Sequence, residues 1–177
     1  MAWEPTPGSW PAFWLAPIQI FKASTSGEID IFEGQGSDPA IFYATLHIWA
    51  DNGKRQLFHQ GCACRLSKDN NFAAWHKYGL LWTPGKMIWY YDDQAIYSLP
   101  TPSIFDAQDY FIMLGSQKGV SWTYGNLKGV TADSMRLKVD WVRVWQAPTQ
   151  SNNRFPKWQV SPNQMGHAQE SRHAQRE

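Results

Sequence analysis

Hydrophobic and polar residues alternate along much of positions 1–146, and turn residues recur every ten or so positions. Such alternation marks half-buried strands, because successive side chains point to opposite faces. The pattern predicts an all-β sandwich. Strands are expected near 27–33, 41–49, 75–83, 86–92, 95–98, 110–116 and 135–145, with a short one around 55–60 in a stretch, 51–74, that is otherwise loop. Within 41–49, Tyr43, Thr45, His47 and Trp49 fall on one face and Phe42, Leu46 and Ile48 on the other. The last strand sets Met135, Leu137, Val139 and Trp141 inward against Arg136, Lys138 and Asp140. No segment has a helical period. From Ala147 the chain turns rich in Gln, Asn, Ser, Arg and His. It cannot bury enough apolar surface there to offset its ordering entropy. One domain over 1–146 and a disordered polar tail over 147–177 are therefore expected.

One strand breaks the usual composition. Gly27-Glu28-Ile29-Asp30-Ile31-Phe32-Glu33-Gly34 places three carboxylates among strand-forming hydrophobes. Acidic residues are depleted in strands, and like charges on one face repel. On a regular strand Glu28 and Asp30 share a face and Glu33 points away. One extra residue between Asp30 and Glu33, a β-bulge, would return Glu33 to that face. Unequal carboxyl groups on one face are what cleavage of a glycosidic bond requires. A solvated acidic strand or a calcium-binding lectin surface is the other reading of the same residues.

Four segments together resemble glycoside hydrolase family 16, the β-jelly-roll group that includes laminarinases, lichenases, agarases and carrageenases. They are the acidic strand, Ser9-Trp10-Pro11-Ala12-Phe13-Trp14-Leu15, the hairpin from Trp75 to Asp93, and Met135 to Trp145. The E-x-D-x-x-E spacing is similar to the bulged, laminarinase-like branch. The resemblance implies a concanavalin-like jelly roll, with Glu28 as nucleophile, Glu33 as acid/base and Asp30 tuning their protonation. It implies a retaining endo-β-glycanase acting on a polysaccharide, most simply a β-1,3-glucan. The alternative is a non-catalytic carbohydrate-binding jelly roll or an inactive truncated relative. Family members carry strands before the W-P-A-F-W run, and this chain starts seven residues before Gly8, so a sandwich incomplete at its N-terminus is expected. Such a sandwich would expose edges and apolar surface that favour pairing with another chain.

Substrate-binding candidates follow. Trp10 and Trp14 resemble cleft aromatics, and only one of them need lie in the cleft. His47 shares the polar face beside the acidic strand, where it either touches Glu33 or the sugar or is a satisfied core residue. Trp122, Tyr124 and Asn126 lie on a loop after a strand, a plausible rim. Trp82 and Trp141 are expected in the core.

Composition narrows the rest. At 177 residues and net charge +1, the chain offers no electrostatic case for nucleic acid or membrane binding, and no run is apolar enough to span a bilayer. Eleven Trp and seven Tyr suit either a sandwich core or sugar stacking. Cys62 and Cys64, spaced C-x-C, read as two free thiols. His167 and His173 read as solvated. No cofactor is expected. The family's structural calcium, which Asp140 would contact, is not expected because its N-terminal partners are lacking. Localisation by resemblance is extracellular or periplasmic, although no signal peptide is visible.

Overall fold

The computed structural model describes residues 1–19, 24–66, 71–118 and 135–146. The chain divides into two compact units, Met1–Val142 and Arg143–Glu177, and the strands among the described residues lie in the first. They are β1 (Ala2–Trp3), β2 (Ser9–Pro17), β3 (Thr25–Gly34), β4 (Ile41–Ala50), β5 (Arg55–Arg65), β6 (Tyr78–Trp82), β7 (Met87–Tyr91), β8 (Gln94–Leu99), β9 (Tyr110–Lys118) and β10 (Leu137–Lys138). All are antiparallel to their partners. Five form one sheet in the order β5-β4-β3-β2-β9, three form another in the order β6-β7-β8, and β1 pairs with β10. The acidic strand β3 is therefore the centre of the larger sheet.

The two sheets meet through alternate residues. Ile29 and Phe32 of β3, Phe42, Ala44 and Leu46 of β4, and Met87, Trp89 and Leu99 from the smaller sheet are buried in one cluster. Phe32 packs against Phe42 and Tyr78 at ring-centroid distances of 5.4 and 4.4 Å. Burying a Phe or Leu side chain stabilises by about 1.5–3 kcal/mol. This core is the reservoir that offsets placing carboxyls in the sheet above it. The expected inward and outward faces of 41–49 are those observed.

Four expectations change. Residues 55–65 form an eleven-residue strand rather than a short one within a loop. Its side chains are mostly exposed, so the sequence carries little apolar alternation there. Among the described residues the last strand is Leu137–Lys138, paired with the two residues of β1. Trp141, expected in the core, is 44% exposed, whereas Trp82 packs edge-on against Tyr110 at 5.0 Å. Cys62 and Cys64 are joined in a disulfide, their Cα atoms 5.6 Å apart on one face of β5. Alternate residues of a strand share a face, and this separation lies within the range that a disulfide bridges. A five-residue 3-10 helix, Ser103–Ala107, adds the buried Phe105. The polar tail 147–177, with His167 and His173, lies outside the described residues. Phe111, Ile112 and Leu114 of β9, an edge strand among the described residues, are exposed.

The glycines bounding the acidic segment permit close approach. A Cβ at Gly27 would sit 2.4 Å from the Phe105 ring, and one at Gly34 would sit 2.7 Å from Pro11 Cγ. They let β3 lie against the 3-10 helix at one end and β2 at the other.

Candidate active site

The bulge is present. Glu28, Asp30 and Glu33 pair with His47, Thr45 and Tyr43 of β4, and the register shifts between Asp30 and Glu33. Three residues of β3 therefore span two of β4, and the three carboxyls recur at even steps along one face. Against β2 the pairs are Trp14 with Asp30 and Ala12 with Glu33. A bulge interrupts its ladder, and here Trp89 of the opposite sheet donates from Nε1 to the Asp30 carbonyl, 2.8 Å away and buried. The core thus holds the distortion from beneath.

Each outer carboxyl has its own indole. Trp10 Nε1 donates to Glu33 Oε1 at 3.0 Å, and Trp49 Nε1 donates to Glu28 Oε2 at 2.8 Å. One arrives from β2 and the other from β4. Trp10 and Trp14 are four residues apart, so both lie on the carboxyl face. Phe13 and Leu15, between and beyond them, pack on the core. His47 stands opposite Glu28, with its Nε2 3.1 Å from Asp30 Oδ2. It therefore contacts the central carboxyl. Its ring stacks on Trp49 at 5.5 Å. Trp122, Tyr124 and Asn126 lie outside the described residues.

Crowding and burial set the protonation. Glu33 is raised to about 8, by burial first and the Asp30 charge second, with His47 and the Trp10 hydrogen bond opposing and Glu28 adding a smaller push upward. Asp30 is raised well above the ordinary range, by burial first and the Glu28 charge second. Glu28 is raised by burial, against the pull of His47 and of the Trp49 hydrogen bond. Burial lowers His47, against Glu28 and Glu33. Three carboxyls that cannot all ionise cheaply give one strand both an acid and a base.

This has a stability consequence of defined sign. A carboxyl with a raised folded-state pKa makes the folded chain hold a proton that the unfolded chain releases, so its stabilisation falls as pH rises. For Glu33 the loss runs from its unfolded value of 4.5 up to about 8. The lowered His47 acts the other way, but only below its ordinary 6.5. The melting temperature should therefore fall from pH 6.5 to 8 in calorimetry. Replacing Glu33 by Gln should flatten that slope.

Trp49 and Trp89 were not singled out among the sequence-predicted site residues. Trp49 does share the alternation of His47, but only the fold reveals which oxygen its indole reaches. Glu28, Asp30 and His47 are, among the described residues, the one group with ligand atoms within 4.8 Å of one another. Calcium takes six to eight oxygen ligands. Two carboxyls that favour protons and one imidazole suit proton sharing better.

Two facing antiparallel sheets, with a bulged acidic strand central in the larger, define a jelly-roll β-sandwich whose open face carries carboxyls framed by tryptophan. The description "Glycosyl hydrolases family 16" matches residues 1–143, and the chain belongs to that family. It is 34% identical over 142 residues to the endo-1,3-1,4-beta-glycanase EglC of Rhizobium meliloti, covering 78% of this chain and 27% of that protein. It is 28% identical over 155 residues to a beta-glucanase of Rhodothermus marinus, covering 78% of this chain and 52% of that one. The catalytic domain of an endo-1,3-beta-glucanase (laminarinase) from Thermotoga petrophila superimposes with a TM-score of 0.57 at 25% identity, over 71% of this chain and 53% of that one. The chain thus spans between about a quarter and about half the length of these relatives. No described helix is long and apolar enough to cross a membrane.

Proposed function

We propose that the protein is a retaining endo-β-glycanase that hydrolyses internal bonds of a β-1,3-glucan, with Glu28 as nucleophile and Glu33 as acid/base. The observation that carries this reading is the bulge, which brings Glu28, Asp30 and Glu33 to one face and leaves Glu33 protonated up to about pH 8. Glu33 gives its proton to the glycosidic oxygen while ionised Glu28 attacks the anomeric carbon, and the carbon–oxygen bond to the leaving sugar breaks. Glu33, now a carboxylate, takes a proton from water. The water oxygen displaces Glu28, returning the original anomeric configuration. Asp30, between them, shares charge with both and holds their proton affinities apart. Trp10 and Trp14 offer aromatic faces beside the reacting sugar.

The substrate class is supported by the relatives, one named as an endo-1,3-1,4-beta-glycanase and another as an endo-1,3-beta-glucanase (laminarinase). No cofactor enters the two steps. A polymeric substrate is met outside the membrane, in an extracellular or periplasmic location.

Incubation with laminarin, mixed-linkage glucan and agarose, followed by proton NMR of the fresh reducing ends, tests the proposal. Release of β-anomers first, and fastest from laminarin, is the expected outcome. Oligosaccharide binding without any new reducing ends would instead identify a non-catalytic sugar-binding sandwich.

A further inference from the structure

The edge strand β5, half of it unexpected from the sequence, brings a side chain to the back of His47. Gln56 pairs with Trp49 in register, and its Nε2 lies 2.6 Å from His47 Nδ1. An amide nitrogen donates and cannot accept, so Nδ1 is the acceptor. A neutral imidazole that accepts at Nδ1 carries its hydrogen on Nε2. That nitrogen is the one 3.1 Å from Asp30 Oδ2. Asp30 Oδ2 is buried and, among the described residues, has no aligned hydrogen-bond donor. His47 is thus the donor within reach of an orphaned oxygen at the centre of the carboxyl row.

We propose that Gln56 is a positioning residue that fixes the Nε2–H tautomer of His47 and so keeps a hydrogen, not a lone pair, on the nitrogen 3.1 Å from Asp30 Oδ2. The proton of the carboxyl row is then confined to the other Asp30 oxygen and to the two glutamates. In the opposite tautomer, the bare Nε2 would face Oδ2 and hold a proton there, on the side away from catalysis. The ring is stacked on Trp49 at 5.5 Å and on His59 at 6.1 Å, contacts that limit its turning. The titratable groups on this face are Glu28, Asp30 and Glu33 of β3, Tyr43 of β4 itself, and His59 of β5. From β2 the face receives the indoles of Trp10 and Trp14, which carry no charge. The catalytic consequence rests on the hydrolase reading above, but the tautomer does not.

Long-range proton–nitrogen correlation spectra of the 15N-labelled chain read the tautomer directly, with His47 assigned by its absence in His47→Gln. A bare Nδ1 and a protonated Nε2 are expected. Gln56→Glu presents an acceptor instead of a donor and should put a proton on Nδ1. The His47 titration should rise by about one pH unit. On laminarin, kcat should fall about tenfold with KM held within twofold, and Gln56→Met, which only removes the donor, should cost about fivefold. A wild-type His47 protonated on Nδ1 would overturn the proposal, as would a Gln56→Glu chain whose His47 tautomer and titration are unchanged. If the spectra agree but no form turns over any glucan, the positioning stands and the hydrolase reading falls.

Discussion

Glu28→Gln should lower kcat on laminarin by about ten-thousandfold or more while leaving the Kd of a bound gluco-oligosaccharide within about twofold. The magnitude follows from removing a nucleophile whose attack cannot be replaced by a neighbouring group. Asp30 shares the face, but it is fully buried and holds its proton more tightly than usual, a poor substitute. The substitution is isosteric, and the amide oxygen of Gln can still accept from Trp49 Nε1, which now bonds Glu28 Oε2 at 2.8 Å. The loss is therefore chemical rather than structural. Stability supplies the control. Burial raises Glu28, and its charge pushes Asp30 upward, so removing that charge relieves repulsion inside the sheet. Melting temperature should be unchanged or higher. A variant that loses activity together with its melting transition would point to a structural role. Equal slow turnover in both forms would end the enzymatic reading.

Glu33→Gln should cost about 10²- to 10⁴-fold on a polysaccharide, the usual worth of a general acid. An aryl glycoside leaves without needing a proton, so its first step should be far less affected. The pH profile carries the sharper signature. With Glu33 held to about 8, it is protonated through neutral pH and ionises above that value. In the wild type kcat/KM should fall as pH rises through about 8, and in Glu33→Gln that limb should vanish. At the acid end Glu28 must be ionised, and its raised pKa moves that limb above the ordinary 4.5. Because the carboxyls interact, the two limbs report the group as a whole and not each residue alone. The Trp10 hydrogen bond can persist in the variant through the amide oxygen.

Much of this site was legible before any fold was known, because the informative features are local. Glycine-bounded alternation set the acidic strand, and the E-x-D-x-x-E spacing demanded a bulge. The period of two on 41–49 correctly placed His47 and Trp49 on one face. Strand β5 resisted prediction because its residues are mostly exposed, so no apolar stripe marks its length. The disulfide of Cys62 and Cys64 was misjudged for a related reason, since their 5.6 Å approach depends on how β5 lies in the sheet. The last strand failed in the opposite direction. Its alternation is clear, yet Val139 and Trp141 are exposed at 39% and 44%, because a period of two fixes which residues share a face and not what covers that face.

By itself, then, the sequence determined the chemistry on offer: three carboxyls in one short strand, tryptophans at each side, and an all-β framework to hold them. Those are properties of residue type and spacing, which act within a few positions of the chain. Only the tertiary structure decided how the groups are used. It set Trp10 on Glu33 and Trp49 on Glu28, carried Trp89 through the core to the bulge, and brought Gln56 behind His47. The physical reason is range. Proton affinity depends on burial and on charges several ångströms away, and those neighbours come from other strands.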